Sequence, residues 1–409
     1  MAPEEEGLTQ PASEEVRLRQ EEYDLRLELN RLQRQLLEDT ASDALEARLE
    51  EIAVLQARLN EIEPQLAKLA AASAASTARK VNKARSRVTV KPGMEYIPTG
   101  IYHLLDQEEL PLVLCEVDEK ETGREKPVLR IRAYIEGYSD QAVELVELGL
   151  RASEVRLSPT LQPKMLHNLT ELTPATLHVV IDDVENGKLL EHLTYRVWLL
   201  ARNSAQTAVK DLTSGKVKDL SRFLGAYVTP NTPSIMRFLR QVAEHHPRKR
   251  LAGYQPDEPV EDQVQAVFQA LKEESKITYV NSLVDFNPQE GTKSQRIRLP
   301  RESLEEGQAN CIDGTVLFAS LLEAISLSPA IVLVPKHAFV GWETGKNSGR
   351  WNYLETTQIG SHDFADAVDF ATRLANVYEK QRDTTGDDAW FRRWPLRELR
   401  AEYQIWPME

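Results

Sequence analysis

The spacing of apolar residues changes twice along this chain of 409 residues. Leucine and isoleucine first recur every three or four residues. Next come segments of partly alternating β-branched residues, and finally short apolar runs between amphipathic stretches. Helices repeat every 3.6 residues and strands every two, so one regular element type cannot satisfy all three patterns. The sequence therefore predicts a multidomain α+β protein.

The changes in spacing predict the domain borders, and the length exceeds that of one ordinary domain. We expect residues 1–80 to form a helical coiled-coil arm and residues 81–91 to form a basic linker. Residues 92–224 should form a β-rich domain, for which a sandwich is one arrangement. Residues 225–409 should form a C-terminal domain of helices and strands.

The N-terminal arm carries the apolar seam that coiled coils need. The seam consists of Leu25, Leu29, Leu32 and Leu36, and then, after the break EDTASD, of Leu45, Ile52, Leu55, Leu59, Ile62, Leu66 and Leu69. Pro64 argues against one straight rod, because proline removes a backbone donor and crowds the preceding turn. Two arrangements remain open, namely a hairpin within one chain and self-association or partner binding through the seam.

Charge and composition narrow the expected partners and location. The formal net charge of -14 argues against nucleic acid and anionic membranes as partners. Residues 77–91 contain six basic residues and no acid, but no aromatic residue interleaves with them, so we expect a solvated hinge. Two cysteines cannot build a disulfide framework, and neither a signal peptide nor a run of 18–20 apolar residues is visible. These features predict a cytoplasmic protein without membrane contact.

The most informative motif for chemistry surrounds Cys311, in the stretch QANCIDG. A polar loop precedes this cysteine, and the apolar segment TVLFASLLEAI after it reads as a buried helix. A cysteine at a helix N-terminus is favoured as a thiolate, the reactive form. The other cysteine, Cys115, lies in the apolar run LPLVLCEV and is expected to be a buried structural thiol.

Two strand-like segments after the helix supply the partners that a thiol nucleophile needs. His337 begins HAFVGW, and Glu355 lies in WNYLETT, which follows after a short turn. A thiolate requires a neighbouring imidazole, and the imidazole requires an acceptor on its other nitrogen. The sequence therefore predicts Cys311, His337 and Glu355 as a catalytic triad. The backbone N–H of Cys311 is one candidate oxyanion donor, and Gln308 and Gln295 are candidates for a second. Asn310 could serve instead or could cap the helix.

The order of these motifs resembles the core of the transglutaminase-like superfamily of papain-fold thiol enzymes. In that superfamily a Cys opens a helix, a His-Ala-aromatic strand follows, and a Trp-x-x-Asp-x-Thr strand comes next. The resemblance covers residues 255–380 and implies Cys311 as nucleophile, His337 as general base and acid, and Glu355 as orienting carboxylate. Glu355 departs from the usual Asp, being longer by one methylene but still an acceptor.

The resemblance implies a papain-like C-terminal domain that acts as a thiol hydrolase, a protease or amidase, on a protein or peptide substrate. Two alternatives remain open, a protein transamidase that cross-links its substrates and an inactive coiled-coil scaffold. No metal or cofactor is expected, because one Cys and scattered His residues do not make a zinc site. No phosphate loop or dinucleotide fingerprint is present either.

Overall fold

The computed structural model describes residues 88–117, 128–147, 153–166, 169–280 and 293–408, together with scattered positions between 17 and 65. The chain divides into two compact units, Met1–Arg85 and Ser86–Glu409. Helices and several sheets are both present, which confirms the expected α+β class. Among the described residues, no helix is long and apolar enough to cross a membrane.

In the first unit, the described contacts join early and late positions of the same chain. Leu18 and Ile62 are fully buried against each other, with Leu25 packed beside them. The Nε atom of Arg58 donates a 2.8 Å hydrogen bond to Glu21. Residues 51–59 are helical. The other predicted seam positions Leu29, Leu36, Leu45, Leu66 and Leu69 lie outside the described residues, as do Pro64 and residues 77–87, so the coiled coil stays a prediction.

The second unit begins with a region built mainly of strands. Its strands are β1 (Val88–Pro92), β2 (Tyr96–Ile97), β3 (Val113–Val117), β4 (Val128–Ile135), β5 (Ala142–Glu147), β6 (Ser153–Leu157), β7 (Thr173–Asp183), β8 (Leu189–Leu199), β9 (Ser204–Lys210) and β10 (Val217–Asp219). One sheet has the order β2-β8-β7-β4-β5, and another has the order β1-β3-β6. The short helix α1 (Pro163–Leu166) and 3-10 turns at Tyr102–Leu104 and Ser221–Tyr227 connect them.

Helices and short strands alternate in the rest of this unit. The helices are α2 (Pro233–His245), α3 (Val260–Glu273), α4 (Pro300–Glu306), α5 (Cys311–Ala324), α6 (Phe364–Thr385) and α7 (Leu396–Ala401). The strands are β11 (Thr278–Tyr279), β12 (Lys293–Arg296), β13 (Gln308–Ala309), β14 (Pro329–Val334), β15 (His337–Glu343), β16 (Trp351–Leu354) and β17 (Arg392–Pro395), and Thr356–Gln358 is a 3-10 turn. Strands β16-β15-β14-β17 form one antiparallel sheet.

Two of the predicted domain borders fall inside structural elements. The sequence assigns residues 88–91 to the basic linker, but they belong to strand β1. This strand pairs with β3, and its first residue, Val88, is buried. The border between 224 and 225 falls within the 3-10 turn Ser221–Tyr227. Strand β12 also pairs with β9 across that border, with Gln295 opposite Ala205. One apolar core therefore extends through the second unit, from Val88 to Ile405.

Helix α5 is the central element of the C-terminal half. All its residues from Ile312 to Leu322 are buried, since the helix packs against strands β14 and β15 on one side and against helices α2, α3 and α4 on others. Strand β14 is almost entirely buried, as a central strand of apolar sequence should be. This packing fixes the start of α5 next to the start of β15.

We expect Gly314→Ala to destabilise the second unit. A Cβ atom at this position would lie 2.8 Å from Oγ1 and 3.0 Å from Cβ of Thr356. Alanine favours a helix over glycine, but overpacking here should cost about 1–3 kcal/mol and outweigh that gain. Urea unfolding followed by tryptophan fluorescence measures the loss, because all six tryptophans lie between residues 198 and 406.

Gly345→Ala is the matched control for this prediction. Its added Cβ would meet nothing closer than 3.7 Å, so the unfolding free energy should change by less than about 0.5 kcal/mol. A Gly314→Ala protein as stable as the wild type would show that the segment around Thr356 yields without cost.

Candidate functional site

Cys311 is the first residue of helix α5 and is half-buried. Asn310 caps the helix, since its side-chain oxygen accepts a 2.9 Å hydrogen bond from the Asp313 backbone N–H. The Asp313 carboxylate in turn accepts a 3.1 Å bond from the Asn310 backbone N–H. These reciprocal bonds fix where the helix starts. The thiol therefore lies at the positive end of the helix dipole, which favours negative charge.

Asp313 also ties the start of α5 to the segment before α4. Its side chain is fully buried and accepts hydrogen bonds from the Arg298 backbone N–H at 2.8 Å and from the Arg298 guanidinium at 3.0 Å. Burial raises the pKa of the Asp313 carboxyl, although these hydrogen bonds act in the opposite direction. Sequence reasoning missed both roles of Asp313. For its bond to Asn310 the Asn-x-x-Asp spacing around Cys311 was the available signal, because it is that of a reciprocal helix cap.

His337 is the first residue of β15, and its side chain is only 9% exposed. Its Nε2 atom lies 2.6 Å from Oε2 of Glu355. The Cys311 side chain is the other group that acts on the imidazole. Burial would lower the pKa of His337, but the charge of Glu355, the hydrogen bond to it and the nearby Cys311 raise this pKa to about 10. The imidazole is therefore held in its charged form at neutral pH.

Glu355 immediately follows β16 and is fully buried. In the β15–β16 register, Val340 pairs with Leu354, so the position opposite His337 would be 357. Glu355 is offset from that position by two residues and so points to the same face as the imidazole. Its long side chain reaches diagonally across to His337.

The second carboxylate oxygen of Glu355 is also occupied. Oε1 accepts from the Thr357 backbone N–H at 2.9 Å and from the Thr357 hydroxyl at 2.6 Å. Burial would raise the pKa of Glu355, but His337 and Thr357 together lower it. Both carboxylate oxygens of Glu355 therefore have hydrogen-bond partners. Without them, burying this charge would lower the stability of the fold.

Two threonine hydroxyls contact the backbone carbonyl oxygen of Cys311. The Thr315 hydroxyl donates to this oxygen at 2.7 Å, and the Thr356 hydroxyl lies 3.4 Å from it. Thr356 comes from the turn that follows Glu355, so the nucleophile candidate and the carboxylate share one local framework. Of the three residues predicted as a triad, His337 and Glu355 are joined directly at 2.6 Å, and Cys311 is close enough to His337 to raise the pKa of its imidazole.

The two glutamine candidates for the oxyanion site have other surroundings. The side-chain nitrogen of Gln308 donates to Glu306 at 2.7 Å on an exposed part of the surface. Gln295 lies on β12, the edge strand that pairs with β9. Among the hydrogen bonds of the described residues, none joins either side chain to Cys311. The Cys311 backbone N–H occupies the first helical position, where helices leave donors without an intrahelical partner.

The second cysteine is placed as the sequence predicts. Cys115 lies on β3, is fully buried, and pairs with Val90 and Val155 on the neighbouring strands. Burial raises the pKa of its thiol to about 12. Cys115 is therefore an unreactive thiol at neutral pH. Within the described ranges, no group of three or more His, Cys, Asp or Glu side chains could hold a metal ion.

The charged His337–Glu355 pair should make stability depend on pH. Because the pKa of folded His337 is raised from 6.5 to about 10, its stabilisation is complete below about pH 6.5 and is lost as the pH rises towards 10. Urea unfolding at about pH 6 and about pH 9.5 should show the wild type losing roughly 2–4 kcal/mol more than His337→Asn over this interval.

His362→Asn is the control for this pH dependence. His362 is exposed, and its ring nitrogen Nδ1 lies 2.8 Å from the Ser361 hydroxyl oxygen. Its replacement should leave the pH dependence of the wild type unchanged. Equal pH slopes for wild type and His337→Asn would contradict the presence of a charged imidazole at this site.

No model of a known protein family matches the chain, and no curated protein matches it either. The features that bear on function are therefore the geometry of Cys311, His337 and Glu355 and the order of the motifs that contain them.

Proposed function

We propose that the second unit is a thiol hydrolase of the papain-like, transglutaminase-like type, a protease or amidase that acts on a protein or peptide amide. The observation that carries this proposal is the 2.6 Å contact of His337 with Glu355 next to Cys311, which lies at a helix N-terminus and also raises the pKa of His337. His337 supplies a proton carrier for the thiol, and Glu355 supplies an acceptor that orients the imidazole.

In the first half of the proposed reaction, the Cys311 thiolate attacks the amide carbonyl carbon. The carbonyl oxygen becomes an oxyanion near the start of α5, where the Cys311 backbone N–H and the helix dipole stabilise negative charge. Collapse of this intermediate breaks the C–N bond. The His337 imidazolium donates its proton to the departing nitrogen, so a neutral amine leaves and a thioester remains on Cys311.

In the second half, His337 has lost its proton and can act as a base. It accepts a proton from water as the water oxygen attacks the thioester carbonyl. The carboxylic acid then leaves, and the thiolate–imidazolium pair is restored. One amide and one water are consumed, and one acid and one amine are released. The raised pKa of His337 suits this cycle, because the starting imidazole must carry the proton that the amine receives.

Glu355 would act by holding the imidazole rather than by taking its proton. The pKa of Glu355 is lowered, so the carboxylate stays ionised beside the imidazolium. Thr357 fixes Oε1 and leaves Oε2 for His337, which sets the orientation of the ring. The substitution of Glu for the Asp usual in the family is compatible with this role, because the offset across the β15–β16 hairpin is bridged by the longer side chain.

The same acyl-enzyme could be resolved by an amine instead of water, which would make the protein a transamidase. The triad is the same for both fates, and the difference lies in which acceptor reaches the thioester. Casein incubated with a fluorescent primary amine separates them: incorporation of the amine indicates transamidation, and new peptide termini or conversion of glutamine to glutamate indicate hydrolysis. Cys311→Ala should abolish either product.

We expect Cys311 to react rapidly with iodoacetamide near neutral pH in the full chain carrying Cys115→Ser. Alkylation read by mass spectrometry should be at least about tenfold faster for native Cys311 than for the same cysteine in urea. His337→Ala should remove this advantage, because the imidazolium no longer stabilises the thiolate. His362→Ala should keep it.

Two results would contradict the proposed function. The first is a Cys311 that resists iodoacetamide until the protein is unfolded, as a packing residue would. The second is an equal alkylation rate in wild type and His337→Ala, which would show that the two side chains are not chemically coupled. Either result would shift attention to the scaffold function of the N-terminal arm.

A further inference from the structure

An open pocket lies at the N-terminus of helix α2, and its lining is rich in arginine. The residues that matter for the argument are Arg202, Thr232, Ser234, Arg237, Arg301 and Glu305. They come from the segment after β8, from the start of α2, and from α4, which packs against α2. None of them belongs to the Cys311 site, so a ligand in this pocket would be independent of the proposed function.

The charge of this pocket opposes that of the chain as a whole. Three guanidinium groups and one carboxylate, that of Glu305, line the pocket, whereas the chain carries a formal net charge of -14. Arginine keeps its charge at any physiological pH, although Arg301 also lies 3.9 Å from Glu302. A concentration of arginines in an acidic protein indicates an anionic ligand.

The start of helix α2 adds backbone donors to this charge. The helix spans 13 residues, and its N-cap Thr232 makes no side-chain capping bond. Instead, the Thr232 hydroxyl lies 3.2 Å from the Ser234 hydroxyl. Pro233 occupies the first helical turn and has no N–H, so the backbone N–H groups of the next residues are the donors at this end. Helix N-termini of this kind bind phosphate and carboxylate groups.

The three arginines reach the pocket from different elements. Arg202 is anchored, because its guanidinium donates a 2.9 Å hydrogen bond to the Met408 carbonyl. Arg237 is exposed and lies three residues after Ser234, on the same face of α2. Arg301 lies in the first turn of α4. A ligand in the pocket would therefore be approached by positive charge from three directions.

We propose that this pocket binds the phosphate group of a small molecule. A phosphate monoester offers three acceptor oxygens to the arginines and hydroxyls of this lining, whereas a carboxylate offers two. The guanidinium fork matches two phosphate oxygens, and the hydroxyls of Thr232 and Ser234 can donate to a third. The Glu305 carboxylate repels a bound phosphate and so lowers the affinity of the pocket for it.

Calorimetric titration of the full chain with inorganic phosphate tests the proposal at low ionic strength. We expect saturable binding of one phosphate per chain. Arg237→Gln should weaken binding by about tenfold or more, since it removes one charge-assisted contact. Glu305→Gln should strengthen it, because a repelling carboxylate is gone. Both side chains are exposed, so neither change should affect folding.

Arg240→Gln is the matched control, because Arg240 is an exposed arginine of the same helix outside the pocket. Its affinity for phosphate should equal that of the wild type. No saturable heat up to about 10 mM phosphate, or equal weakening by Arg237→Gln and Arg240→Gln, would overturn the proposal. Acetate binding as tight as phosphate binding would also overturn it and identify a carboxylate site instead.

Discussion

The buried pair of His337 and Glu355 is the interaction around which the C-terminal half is organised. Two charges in the interior are tolerated only when each is paired and its remaining hydrogen-bonding capacity is met. Here one carboxylate oxygen contacts His337, and the other accepts two bonds from Thr357. Removing any one partner leaves a buried charge unsatisfied, so the hairpin β15–β16 and the turn after it are constrained together.

The start of helix α5 depends on the same hairpin. The helix packs on β14 and β15, and Gly314 allows it to approach the segment that carries Thr356. A larger residue at that position would push the helix away and lengthen the distance between Cys311 and His337. The apolar character of α5 thus serves placement as well as stability, since a helix buried on most sides has little freedom to shift.

Sequence reasoning located most of this framework but not its supports. A helix after Cys311, an apolar central strand and two following strands could all be predicted, because periodicity and turn residues specify them locally. The contact of Arg298 with Asp313 could not, since it joins residues 15 positions apart on either side of α4 and β13, and no local pattern links the two. The pairing of β12 with β9 across the predicted border at 224/225 could not be predicted either, because strand pairing over that distance leaves no local signal in the sequence.

The buried Asp313 presents an electrostatic problem that the fold resolves nearby. Its carboxylate lies two residues after Cys311 and, uncompensated, would oppose negative charge on the sulfur. Arg298 offsets it with a direct ion pair at 3.0 Å, and two backbone N–H groups also donate to it. The carboxylate can therefore fix the helix start while most of its charge is neutralised locally. The helix start that carries Cys311 is thereby held in place beside His337.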